Sequence, residues 1–159
     1  GTGKINPCNV TIIKRVLSQL KDEMIQKNTS YDIGIIAPYK AQTELLRNKL
    51  AIKKDFADYK IDIGTVDSFQ GSDRDIIIYD CVRSSKLKQK AKIDFIAEEK
   101  RLNVSLSRAK LLLIIVGDMD FLHQAQVSDK NNPFRSIIEY IAQNKDAYEI
   151  IEEKSNGRK

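Results

Sequence analysis

Residues 101–118 read Arg-Leu-Asn-Val-Ser-Leu-Ser-Arg-Ala-Lys-Leu-Leu-Leu-Ile-Ile-Val-Gly-Asp, and the two halves of this stretch carry different periodicities. At about 100° per residue the first half predicts a helix. Such a helix stacks Arg101, Ser105 and Arg108 on a polar face, with Leu102, Leu106 and Ala109 on an adjoining apolar one. Leu111 to Val116 is an unbroken apolar run stopped by Gly117, the pattern of a strand covered on both faces in a parallel sheet. The short join between them places Arg108 at the end of a rigid element. A guanidinium beside a buried strand is costly to desolvate and requires an anion, either the phosphate or carboxylate of a ligand or a structural carboxylate. This stretch alone leaves both partners open.

Working outward, two more apolar runs precede it. Ile33 to Ala37 predicts a first buried strand ended by Pro38, and Ile76 to Val82 predicts a third; Ile61 to Thr65 between them predicts a shorter one. Helices alternate with these strands. Asn6 and Pro7 read as an N-cap and first helical residue for a helix whose Val10, Ile13, Val16, Leu17, Leu20 and Met24 form one core stripe. A second helix follows Tyr39-Lys40-Ala41-Gln42 through Leu45, Leu46 and Leu50. Just past a strand's carboxyl end is where open α/β sheets bind ligands, so Tyr39 and Gln42 are candidate contacts as well as candidate turn residues. Residues 66–75 read as a polar loop in which Gly71 allows close backbone approach. Asp67, Asp73 and Asp75 lie in it without a histidine, which argues against a metal site. Beyond residue 118, a short helix to Gln126 and another opened by Pro133 complete the pattern, with the lone His123 in a surface or capping role.

The 159 residues amount to one domain, with 42% hydrophobic and 31% charged residues as in ordinary globular proteins. No apolar run is long enough to cross a membrane and no signal-peptide pattern opens the chain, so an intracellular location, cytoplasmic or nucleoid/nuclear, is expected. Cys8 and Cys81 lack metal-ligand spacing and read as reduced thiols. The net charge of +5 is localised: residues 1–60 hold 11 Lys and Arg against 6 Asp and Glu, while residues 61–159 are balanced at 16 each. Arg83 with Lys86, Lys88, Lys90 and Lys92 adds a second basic segment on a polar connector. Such segments suit a polyanion or a solvated surface. Gly1-Thr2-Gly3-Lys4 is not a phosphate loop, because Ile5 stands where that loop needs Ser or Thr. Residues 1–4 are read as a remnant or domain edge, 5–150 as the folded domain and 151–159 as a frayed tail.

Three segments now stand in order: Ile-Ile-Ala-Pro-Tyr-Lys-Ala-Gln at 35–42, Thr-Val-Asp-Ser-Phe-Gln-Gly-Ser-Asp-Arg-Asp at 65–75, and Arg-Leu-Asn-Val-Ser-Leu-Ser-Arg-Ala-Lys at 101–110. Together the chain resembles superfamily-one helicases of the Upf-like branch, matching their motifs IV, V and VI over about residues 5–125. The resemblance implies the second, C-terminal RecA-like domain of a motor: a three-layer α/β fold, P-loop NTPase-like, with a mainly parallel sheet flanked by helices. It implies ATP and Mg2+ held mainly by an N-terminal RecA-like domain of the same protein, and single-stranded nucleic acid as the track. Arg108 matches the arginine finger. Gln70 and Gly71 match positions facing the nucleotide, Asp73 stands where the family usually has a ribose-binding glutamate, and Arg101 matches a basic residue that supports the finger, binds phosphate or forms a structural pair. Tyr39, Gln42, Thr65 and Ser68 match segments along the nucleic-acid backbone. The fragment alone is expected to be inactive. The alternative is a nucleic-acid- or partner-binding module without ATPase activity; a small-molecule transferase is disfavoured by Pro38-Tyr39 where a glycine-rich loop would be needed.

Overall fold

A computed structural model describes residues 3–84, 93, 95–128 and 131–146. Its elements run α1 (Pro7–Gln26), β1 (Ile33–Ile36), α2 (Lys40–Lys49), α3 (Ile52–Asp55), β2 (Ile61–Gly64), a 3-10 helix (Val66–Phe69), β3 (Arg74–Asp80), α4 (Glu99–Leu106), β4 (Ala109–Val116), α5 (Met119–Gln124) and α6 (Pro133–Gln143). The strands form one parallel sheet in the order β2-β1-β3-β4. Ile33 pairs with both Ile61 and Ile76, and Arg74 pairs with Ala109, so the amino ends of all four strands share one edge of the sheet.

Two adjacent residues of β3 show that helices cover both faces, because successive side chains in a strand point to opposite sides. Asp80 is hydrogen-bonded by Asn9 of α1 and Gln42 of α2. Tyr79 instead lines a small cavity of about 10 Å³, room for one water, with Arg101 and Ser105 of α4. The fold is therefore the three-layer RecA-like α/β arrangement. Helix α1 begins as its sequence dictates: the Asn6 side chain accepts from the Asn9 N–H at 3.2 Å, and Val10, Ile13, Leu17, Leu20 and Met24 are buried. The fully buried Ile33, Ile35, Ile36, Ile77 and Ile78 form the sheet's contribution to the core.

Three expectations are corrected. First, β4 is not covered on both faces along its whole length: Leu111 is 67% and Leu112 45% exposed, while Leu113 to Ile115 pack on the core, and β4 is an edge strand with no further strand beyond it among the described residues. Second, α4 ends at Leu106, so Arg108 lies past the helix and does not extend the Arg101–Ser105 face. Third, residues 66–69 form a 3-10 helix rather than an irregular loop, and α3 adds a turn of helix that no periodicity signalled. His123 falls near the end of α5 and pairs with Glu139 of α6 at 3.3 Å. The basic connector beyond Ser84 and the tail from 151 lie outside the described residues.

Candidate functional site

The motif segments meet around a single crossing. Residues 65–73 leave the carboxyl end of β2 and enter the amino end of β3, so the crossing traverses the sheet lengthwise. It packs closely because Gly34 of β1 has no side chain: a Cβ there would come within 2.6 Å of the Phe69 ring. Thr65 and Ser68 sit at the start of the crossing, and the exposed Gln70 and Gly71 near its end. The Ser68 hydroxyl donates to the Thr65 carbonyl at 2.7 Å, which shapes the turn. Gly71 has φ +70°, the left-handed region glycine reaches without strain, and none of the described residues stands within 4 Å of where a Cβ would be. The backbone there is open to a ligand.

Arg108 lies beside the end of this crossing. Its carbonyl accepts the Arg74 N–H at 2.9 Å, which fixes the backbone between α4 and β4 to the start of β3. Its side chain is 24% exposed, and Nη1 stands 3.5 Å from Oδ1 of Asp73. Its buried Nε has no hydrogen-bond partner among the described residues. The neighbouring Arg74 is fully engaged by contrast: it pairs with Asp62 at 3.1 Å, donates to the Ser72 hydroxyl and lies over the Phe69 ring at 5.1 Å. Arg101 is not brought to Arg108: in the first turn of α4 it lies towards the carboxyl end of the sheet, half exposed, 5.3 Å above the Phe95 ring, and pairs loosely with Glu98 at 3.9 Å. The Ser105 hydroxyl is held by the Arg101 carbonyl at 3.0 Å.

At the opposite, carboxyl end of the sheet, Tyr39 and Gln42 are not on a surface. Tyr39 is 1% exposed and stacks on Phe95 with ring centroids 5.1 Å apart; burial pushes its hydroxyl pKa up, opposed by the nearby Arg83 charge. The Gln42 amide is wholly enclosed. Its oxygen accepts the Asn6 N–H at 2.7 Å, and its nitrogen donates to the Asn6 carbonyl at 3.0 Å and to Asp80 Oδ2 at 2.7 Å. Asp80 Oδ1 accepts from Asn9 Nδ2 and from the Val82 N–H. Burial raises the Asp80 pKa, and these three hydrogen bonds work against that rise.

Sequence reasoning missed this cluster because Asp80 lies within what reads as an apolar strand. The signal was present: a carboxylate inside such a run requires buried donors, and Asn6, Asn9 and Gln42 are the amides that supply them. The cluster also holds Val82 at φ +62°, rare for a β-branched residue. The Asn6 amide donates to the Val82 carbonyl at 2.6 Å, and the Arg83 N–H closes a three-residue turn on the Cys81 carbonyl at 2.6 Å. The described residues contain no group of three or more histidines, cysteines or carboxylates able to hold a metal. No helix among them is long and apolar enough to cross a membrane.

Comparison with known proteins identifies the family. The family model described as AAA domain matches residues 1–120. The DNA polymerase alpha-associated DNA helicase A of Saccharomyces cerevisiae is 35% identical over 121 residues, covering 76% of this chain and 16% of that protein. The helicase sen1 of Schizosaccharomyces pombe is 41% identical over 112 residues, covering 67% of the chain and 6% of its own length. The DNA-binding protein SMUBP-2 of Rattus norvegicus is 34% identical over 115 residues, 72% and 11% of the two chains. The chain thus spans 16% or less of each of these three relatives. A parallel sheet crossed by a Thr-Val-Asp-Ser-Phe-Gln-Gly segment that ends against the Arg108 turn, matched in sequence by helicases, places the chain in the AAA domain family as a superfamily-one, Upf-like helicase domain.

Proposed function

We propose that the chain is the C-terminal motor domain of an ATP-dependent helicase, with Arg108 as the arginine finger supplied in cis to a nucleotide held mainly by an N-terminal RecA-like domain. The observation that carries this reading is the state of Arg108: a fixed backbone, one loose ion pair and a buried Nε without a partner among the described residues. A structural arginine is satisfied, as Arg74 is; Arg108 retains donors for a further anion. The open backbone at Gly71 and the exposed Gln70 fit a nucleotide on the same side. ATP with Mg2+ supplies the γ-phosphoryl group and its charge, the metal being held by the other domain. Arg108 stabilises developing negative charge, Gln70 and Gly71 line the nucleotide, and Asp73 bounds the site; Arg101, a full helix away over Phe95 at the carboxyl end of the sheet, acts as a structural pair with Glu98. Water-poor surroundings between the two halves strengthen each of these contacts.

Thr65 and Ser68 form part of the surface for single-stranded nucleic acid. Tyr39 and Gln42 contribute from beneath by holding the carboxyl end of the sheet. Because one crossing joins Thr65 to Gln70 and Gly71, a shift at the nucleic-acid end reaches the nucleotide end through continuous backbone. Phosphate contacts of this kind bind without reading sequence and weaken with salt. The isolated domain does not hydrolyse ATP, and it acts in an intracellular protein. The test is Arg108→Ala in the complete protein: nucleic-acid-stimulated ATP hydrolysis falls about 10³- to 10⁵-fold with folding intact. Unchanged turnover would refute the assignment.

A further inference from the structure

We infer that Asp73 is a positioning residue: the resting counter-anion of Arg108, holding the guanidinium at the amino end of β3 until a more strongly charged group displaces it. This rests on the reading of Arg108 as a finger and adds a regulatory step to it. The acids around the start of β3 are paired one to one. Asp62 takes Arg74 at 3.1 Å, Asp75 takes Lys110 at 3.5 Å, and Asp73 is left to Arg108 at 3.5 Å. The last contact is longer than the 2.7–2.9 Å of a tight charge-assisted bond. Asp73 is 55% exposed, so water competes for it; the ion pair reaches it through Nη1, and the buried Nε has no partner among the described residues.

Arg108 cannot leave by moving its backbone, because its carbonyl is tied to the Arg74 N–H. Exchange therefore occurs at the side chain alone, by rotation away from Asp73. A pair this exposed and loose is weak enough to be displaced by a phosphoryl group, yet strong enough to compete measurably.

The test measures binding of ADP and of ADP with aluminium fluoride, both with Mg2+, to the complete protein. The ratio of the two affinities isolates the added phosphoryl-like charge, since a ribose contact contributes equally to both. Asp73→Asn, and equally Asp73→Ala, is expected to raise this ratio about two- to fivefold. In an Arg108→Ala background the same substitutions should leave it unchanged. A ratio that stays constant or falls in Asp73→Asn overturns the inference, as does a rise that persists without Arg108, which would report the general loss of a negative charge. If Arg108→Ala itself fails to lower the ratio, the finger assignment fails instead, so the two failures are separable.

Discussion

The two ends of β3 treat polar side chains in opposite ways. At the carboxyl end Asp80 is buried and both oxygens are occupied, by Asn9, the Val82 N–H and Gln42. At the amino end Asp73 and Arg108 touch loosely, one half exposed and the other with an unpartnered Nε among the described residues. A completed network is a structural joint, since removing any member leaves a buried group unsatisfied. An incomplete one on a fixed backbone is available for a ligand. Residue type does not distinguish the two: Gln42 and Gln70 both match helicase motifs, and burial alone sets the enclosed joint apart from the exposed candidate site.

The largest effect that could break this comparison is in Arg108→Ala. Thermal melting should place its stability within about 0.5 kcal/mol of wild type, alongside the loss of ATP turnover in the complete protein. A large stability loss would make Arg108 a joint like Asp80.

Next in size is Asp80→Asn, which turns an acceptor into a donor facing the Asn9 or Gln42 amide and should cost about 1–3 kcal/mol in urea unfolding. The pH dependence sharpens this. The folded state raises the Asp80 pKa above its unfolded value, so folding favours the protonated form. The resulting stability is fully present below the ordinary carboxylate range and is lost as pH rises through the folded-state pKa. The wild type's margin over Asp80→Asn is therefore expected to be widest in acid and to narrow towards neutrality; a margin that widened instead would reverse the assigned direction.

Gln42→Ala should cost a similar or slightly smaller amount, about 1–2 kcal/mol. Combined with Asp80→Asn the cost should be less than the sum, because both remove one network. A Gln42→Ala variant with unchanged melting but weakened single-strand binding would move Gln42 back to the surface. The smallest effect expected is in Gly71→Ala. None of the described residues crowds a Cβ there, so the positive φ is what opposes it, at about 1 kcal/mol. A much larger loss would show that the amino-end rim is packed rather than open.

The core of the fold was legible in local pattern. The Asn6-Pro7 helix start, the stripe from Val10 to Met24 and the apolar strands appear where periodicity and capping place them, because these depend on spacing along one element. The family was legible in the spacing of residues 65–75 and 101–110. Exposure was not. The run from Leu111 to Val116 reads as doubly covered, but whether neighbours cover it depends on strand order, and β4 is an edge. Tyr39 and Gln42 sit where a ligand contact is expected, yet Asn6, Asp80 and Phe95 arrive from distant parts of the chain to enclose them.

The sequence by itself determined the alternation of helices and strands, the helicase motifs and the place of Arg108 within one of them, since each is written in the order and spacing of neighbouring residues. Only the tertiary structure decided that Gln42 is a joint and that Arg108 rests on Asp73. It also decided that both ends of the sheet are linked by one crossing. Those outcomes depend on which distant polar groups meet and whether water is shut out, and hydrogen-bond satisfaction across a sheet has no signature in local periodicity.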